Sequence, residues 1–292
     1  MIRADWIAAD WGTSNLRVWA MQGREILAEA SSDAGMNTLA RDEFEGALLA
    51  LISDWIDGPT DVIACGMVGS RQGWTEAKYQ PVPCKPAGHM VAAPTQDSRL
   101  NVRILSGVSQ ATPADVMRGE ETQIAGFLVQ NPDFDGVLCM PGTHTKWARI
   151  SAGELCHFAT AMTGEMFQLL SERSVLRHSM GDGWDDAAFL AGLDETLSRP
   201  ERIATSLFSL RASGLLNGED GAAARARLSG LLLGAELAAM KPYWLGQEVA
   251  LIGATKLNEI YQSALATVGL TVRAFDGTEM VLAGLAGARE AL

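Results

Sequence analysis

Ile7-Ala-Ala-Asp10-Trp11-Gly12-Thr13-Ser14-Asn15-Leu16-Arg17 joins two apolar runs through a carboxylate, a glycine and two hydroxyls. The pattern predicts a strand over Trp6 to Asp10, a tight turn, and a returning strand over Leu16 to Met21. A third strand, Glu25 to Ser31, follows Gly23. Buried strands on both sides hold such a turn rigid. Its backbone N–H groups, with Thr13 and Ser14, then suit phosphate oxygens, and Asp10 suits a cation. Taken alone, the same residues also describe an ordinary hairpin with a polar turn.

The pattern recurs. Val137 to Met140 is a buried strand, Pro141-Gly142-Thr143-His144 a second Gly-Thr turn, and Thr145 to Ile150 and Glu154 to Thr160 the strands that follow. A repeated hairpin points to a shared task, two turns clamping a polyphosphate from opposite sides. Between the copies, Asn131-Pro-Asp-Phe-Asp-Gly136 is a turn-rich joint. The expected lobes are therefore 1–133 and 134–292.

The remaining segments fit an α/β chain. Asp42 to Ile56 has helical spacing, Pro59 closes it, and Val62 to Cys65 is a strand. Gly66 to Trp74 is a glycine-rich loop at the end of that strand, where open α/β sheets gather ligands, so Ser70, Arg71, Gln72 and Trp74 stand where substrate contacts would. An exposed surface loop is the alternative. Pro81 to Pro94 reads as an irregular excursion, Val102 to Ser106 as a strand, and Met117 to Gln130 as a helix. The acids Glu120 and Glu121 in that helix also fit plain complementation of its dipole. Helices are expected over Gly164 to Arg177, Trp184 to Leu197, Pro200 to Leu216 and Gly221 to Met240. The closing segments are a strand at Glu248 to Ile252, a turn at Gly253 to Lys256, a helix at Leu257 to Val268, a strand at Leu270 to Ala274 and a helix at Glu279 to Ala291. The turn after the first of these strands lets a nucleoside lie close to backbone at Gly253 and Ala254.

Composition narrows the partners. With 292 residues, 48% of them hydrophobic and 20% charged, the chain has room for two cores of ordinary size. A net charge of −12 argues against nucleic acid or an anionic membrane, and any anionic ligand must be met locally. Cys65, Cys84, Cys139 and Cys156 show no Cys-x-x-Cys spacing and suit reduced thiols. No long apolar run occurs, and Asp5 and Asp10 interrupt the first hydrophobic segment, so a cytoplasmic location is expected.

These pieces, in this order, resemble the sugar kinase, heat-shock chaperone and actin superfamily. More narrowly, Asp10 to Arg17, Gly66 to Arg71, Met117 to Gln123, Pro141-Gly-Thr-His-Thr-Lys-Trp147 and Thr163 to Phe167 are similar to the 2-dehydro-3-deoxygalactonokinase family. The resemblance implies an α/β actin-like ATPase fold of two ribonuclease-H-like lobes, with the nucleotide in the cleft between them. It implies transfer of the γ-phosphoryl of ATP, with Mg²⁺, to the terminal hydroxyl of 2-dehydro-3-deoxy-D-galactonate. Another sugar or keto acid, or an ATPase switch without sugar kinase activity, is the alternative. The partners are then ATP and a small sugar acid, with a homodimer left open.

Residue roles follow from the same resemblance. Gly12, Thr13, Ser14, Gly142, Thr143 and Thr145 would hold phosphates, Arg17 or Lys146 would offset charge, and Asp10 would hold the metal through water. His144 would donate to phosphate or pack against Trp147. Arg71, with Ser70, Asn37, Trp74, Thr163 and Glu165, would meet the acid substrate. Related carbohydrate kinases open a helix before the second hairpin with a catalytic Asp. Here the matching region, Arg118 to Gln123, offers Glu121 and then Glu120 as the base, with Asp10 behind them.

Overall fold

The computed structural model describes residues 2–292 and divides the chain into two compact units. The first comprises residues 2–135, Ile150–Phe158 and Asp276–Leu292, the second Gly136–Arg149 and Ala159–Phe275. The chain thus enters the second unit near the expected joint but returns twice, once through Ile150–Phe158 and once through its last helix. Single lobes of 1–133 and 134–292 do not describe this division.

Unit one is built on β1 (Trp6–Trp11), β2 (Leu16–Gln22), β3 (Glu25–Ser32), α1 (Phe44–Ile52), β4 (Thr60–Gly66), β5 (Gln80–Pro81), β6 (Met90–Ala92), β7 (Leu100–Leu105), β8 (Val108–Ala111), β9 (Ala114–Met117) and α2 (Glu120–Gln130). Its main sheet has the order β3-β2-β1-β4-β7-β6, with β1 antiparallel to β2 and parallel to β4. Alternation along β1 explains its unbroken apolar run. Ile7, Ala9 and Trp11 join the core containing Phe44, Leu48 and Ile52 of α1, while Trp6 and Ala8 face the opposite core. Asp10 therefore points to the side of Trp6 and Ala8.

Two expectations shift here. The helix expected from Met117 begins at Glu120, because Ala114–Met117 is a strand and Gly119, at φ +112°, takes a conformation open to glycine that breaks the run. The excursion over Pro81 to Pro94 contains β6, paired with β7, and begins within β5, paired with β8.

Unit two contains β10 (Gly136–Met140), β11 (Thr145–Ser151), β12 (Glu154–Ala161), α3 (Thr163–Glu172), α4 (Asp186–Ser198), α5 (Ile203–Asn217), α6 (Gly221–Ala239), α7 (Lys241–Trp244), β13 (Val249–Gly253), α8 (Thr255–Thr267) and β14 (Arg273–Asp276), although Ile150–Phe158, the end of β11 and most of β12, and Asp276 are grouped with unit one. Its sheet order is β12-β11-β10-β13-β14, the order of β3-β2-β1-β4-β7 over again. The last helix, α9 (Gly277–Glu290), lies in unit one, where Val281, Leu285, Ala286 and Ala288 pack with Trp6, Ala8 and Ile63. The larger aliphatic side chains among them, Val281, Leu285 and Ile63, each contribute roughly 1.5–3 kcal/mol by leaving water.

Candidate functional site

In unit one the β1–β2 turn is closed by the Gly12 N–H donating to the Asn15 carbonyl at 2.9 Å. A second turn is stitched to it, since the Met36 and Asn37 N–H groups donate to the carbonyls of Gly12 and Thr13 at 3.1 and 3.0 Å. Asp10, Gly12, Thr13, Ser14, Asn15 and Arg17 line a cavity of about 500 Å³.

Strand register brings the charges together. Asp10 stands directly opposite Arg17 on β2 and level with Cys65 on β4. The Arg17 guanidinium pairs with one Asp10 oxygen, and a second nitrogen donates to the Thr278 hydroxyl at 3.2 Å, on the first turn of α9. The Cys65 thiol lies 3.8 Å from the other Asp10 oxygen. Burial pushes that thiol well above its usual range, and the carboxylates of Asp10 and Glu121 add to the shift. Cys65 therefore marks where the end of β1 meets the start of α2.

Glu121 is completely buried. It accepts from the Gly119 N–H at 2.7 Å and from the Thr122 hydroxyl at 3.3 Å. Desolvation, then the neighbouring Glu120, raises its pKa to about 8. Glu120 is less buried and accepts from the Arg118 N–H at 3.1 Å.

Other expected residues in unit one have structural surroundings. Trp74 is 5% exposed and stacks on Phe44 with ring centroids 6.2 Å apart, Trp11 completing the cluster, so the indole is core and lines no ligand surface. Ser70 is buried with its hydroxyl lacking a partner. Arg71 and Asn37 are exposed. The Arg71 loop is held from below by Arg41, whose guanidinium donates to the carbonyls of Arg71 and Gly73 at 2.7 and 3.2 Å.

In unit two the second Gly-Thr turn packs against the start of α3. The Glu165 N–H donates to the Thr143 carbonyl at 2.9 Å, and Gly164 lies so close to the Gly142 carbonyl that no side chain fits there. The His144 ring is 2.6 Å from the Glu165 carboxylate, an orientation that takes it away from packing on Trp147. Thr143 and His144 are exposed, whereas Thr145 and Lys146 are buried. The Thr145 hydroxyl is engaged with Tyr261 at 2.8 Å, which removes it from the exposed face of the turn. Trp147 donates its indole N–H to Glu236 at 2.8 Å.

Beside this turn lies a cavity of about 590 Å³, lined by Gly142, Thr163, Phe167, Arg225, Ala254 and Tyr261 among others. Its walls are mainly apolar with a few polar groups, the make-up of a small-molecule pocket. Gly253 itself is buried, and Asn258 fixes it by donating to its carbonyl at 3.1 Å. Glu236, Tyr261 and Asn258 were missed in the sequence. A lone acid in an apolar helix was the available signal for the first.

A family model described as 2-keto-3-deoxy-galactonokinase matches residues 10–288. The chain is 40% identical over 299 aligned residues to the probable 2-dehydro-3-deoxygalactonokinase of Rhizobium meliloti (strain 1021), covering 98% of this chain and 96% of that protein. It is 36% identical over 288 residues to the 2-dehydro-3-deoxygalactonokinase of Escherichia coli (strain K12), covering 97% and 96%. A crystal structure of a candidate 2-dehydro-3-deoxygalactonokinase from Sinorhizobium meliloti superposes with a TM-score of 0.91 at 39% identity over 98% of both chains. Component A of the (R)-2-hydroxyglutaryl-CoA dehydratase of Acidaminococcus fermentans, at 12% identity and a TM-score of 0.55 over 98% of both chains, shares the fold. The fold is the α/β arrangement of actin-like ATPases and sugar kinases expected from the sequence. Among the described residues no helix is long and apolar enough to cross a membrane.

Proposed function

Because the chain belongs to the 2-keto-3-deoxy-galactonokinase family, we propose that it phosphorylates 2-dehydro-3-deoxy-D-galactonate at its terminal hydroxyl with ATP, in the cytoplasm, as a step of galactonate breakdown. The observation that carries this reading is the twofold Gly-Thr hairpin, each copy opening a sheet of the same strand order. One hairpin adjoins a charged cavity and the other an apolar one large enough for a nucleoside.

Phosphoryl transfer asks for positioning and charge compensation. The substrate oxygen forms a bond to the γ-phosphorus, the bond from that phosphorus to the bridging oxygen breaks, and ADP leaves. Gly12, Thr13, Ser14, Gly142 and Thr143 supply N–H and hydroxyl donors to the phosphates. The cavity at Ala254 and Tyr261 takes the nucleoside. Arg17, and Lys146 after a shift of its buried side chain, balance the developing charge. Glu121 takes the proton of the substrate hydroxyl once substrate uncovers it. A pKa of about 8 suits a base working near neutral pH. Glu120, less buried on the same turn, is the second choice for that role. Arg71, Asn37 and Glu165 meet the acid substrate, Arg71 through the carboxylate, whereas Thr163, whose hydroxyl donates to Glu236 in the wall of the nucleoside cavity, does not.

Asp10 fits a hydrated Mg²⁺ ion. Its carboxylate lines a roomy polar cavity, which leaves space for an ion held through water. Bound there with ATP, the ion would neutralise phosphate charge.

Coupled detection of ADP with ATP and a panel of 2-keto-3-deoxy acids tests the proposal. The expected result is turnover that requires the acid, fastest with the galactonate derivative. ADP release at the same rate without any acid would instead favour an ATPase, and no ADP with any member would end the reading.

A further inference from the structure

Glu236 interrupts the apolar face of α6 and is 5% exposed. A buried carboxylate is costly unless its lone pairs are met, and here three separate elements meet them. One oxygen accepts from the Trp147 indole N–H at 2.8 Å, and the other accepts from the Thr163 hydroxyl. The Tyr261 hydroxyl lies 3.1 and 3.0 Å from the two oxygens. Trp147 belongs to β11, the returning strand of the second Gly-Thr hairpin, Thr163 opens α3, and Tyr261 sits on α8. Thr163 and Tyr261 both line the 590 Å³ cavity.

The donors can be counted. Burial raises the Glu236 pKa while its three hydrogen bonds pull it down. An indole N–H only donates, and with the carboxylate ionised it only accepts, so Thr163 and Tyr261 then both turn their protons towards Glu236. Having given its one proton, the Tyr261 oxygen accepts from the Thr145 hydroxyl 2.8 Å away. The Thr145 proton thus points into the unit, which leaves Thr143 and His144 as the exposed side chains of the turn.

We propose that Glu236 is the positioning residue of the nucleotide site: one carboxylate ties the hairpin's returning strand to two walls of the adjoining cavity and directs the Thr145 hydroxyl inward. The inference rests on reading that cavity as the nucleoside site. Glu236 touches no reacting atom, so its loss should act on nucleotide binding before chemistry.

The test compares the full-length chain with Glu236→Gln and Tyr261→Phe, measuring both KM values, kcat, melting temperature and direct binding of a non-hydrolysable ATP analogue. The Gln amide places N–H donors among groups that already donate, so the KM for ATP should rise about tenfold, the usual scale for losing a charged hydrogen bond. Tyr261→Phe should give a rise of about threefold, the scale of a neutral one. In both, the KM for the acid should stay within about twofold. An unchanged KM for ATP in a folded variant, or equal rises in both KM values, would overturn the proposal. If Glu236→Gln does not fold, Tyr261→Phe decides by the same criteria. A wild-type chain that binds no ATP analogue would overturn the kinase reading itself, whereas normal wild-type binding with unaffected variants would remove Glu236 alone.

Discussion

The two Gly-Thr hairpins share a turn and differ in what stands beside it. Aligned on Gly12-Thr13 and Gly142-Thr143, the first has Asp10 and Arg17 where the second has Met140 and Trp147. In unit one the pair is ionic, partly exposed, and anchored to Thr278. In unit two Met140 is buried and Trp147 reaches a buried carboxylate. One turn template therefore serves two electrostatic settings. The first sets a carboxylate and a guanidinium beside its turn, and the second sets a buried apolar side chain and an indole there.

The largest expected effect is on the charged side. Asp10→Asn keeps the size of the side chain and removes its charge, and should lower kcat by roughly three orders of magnitude, the scale of a lost electrostatic contact to the reacting groups. Initial rates at saturating substrates would show it, and a loss of less than tenfold would blur the contrast between the hairpins. Glu121→Gln should lower kcat by roughly two to four orders of magnitude with little change in ATP affinity. If Glu121→Gln keeps its rate and Glu120→Gln loses it, the base moves one residue along α2.

Titration sharpens the same contrast. Folding raises the Glu121 pKa from 4.5 to about 8, so the folded chain binds this proton more tightly than the unfolded one. Its contribution to stability is fully present below about 4.5 and is lost as pH rises through about 8. Melting temperature should accordingly fall between pH 6 and pH 9, and Glu121→Gln should flatten that slope. Over the same interval kcat/KM should rise as the base ionises. A wild-type slope unaltered by the substitution would assign the pH dependence elsewhere.

The smallest effect is expected at Arg71. Its side chain is exposed, with its loop held by Arg41. Arg71→Ala should raise the KM for the acid about tenfold and leave that for ATP in place, the size of one lost charged contact. Equal changes in both would make the residue structural.

Much of this contrast was legible in the sequence because it rests on local chemistry. Buried strands ending in Gly-Thr turns carry both a periodicity and a turn signal, and their recurrence exposed the duplicated sheet. Strands β8 and β9 were not legible, since runs such as Val108–Ala111 are too short to show alternation. Trp74 looked like a ligand contact from its glycine-rich loop, but Trp11 and Phe44 draw it into the core. Glu236 stands out only as a lone acid in an apolar helix, and its role was hidden for another reason. Its partners Trp147, Thr163 and Tyr261 lie 89, 73 and 25 residues away, so its burial is a property of tertiary packing. The return of α9 to unit one is of the same kind: Val281 and Leu285 find Trp6 and Ala8 from the other end of the chain.

The division of labour is tested most directly by titrating Asp10→Asn and Glu236→Gln with a non-hydrolysable ATP analogue in the absence of magnesium, beside their turnover rates. The account predicts that Asp10→Asn binds the analogue like wild type while its turnover collapses, and that Glu236→Gln binds it about tenfold more weakly while retaining most of its kcat at saturation. The opposite pattern, weak binding in Asp10→Asn and lost turnover with normal binding in Glu236→Gln, would contradict it.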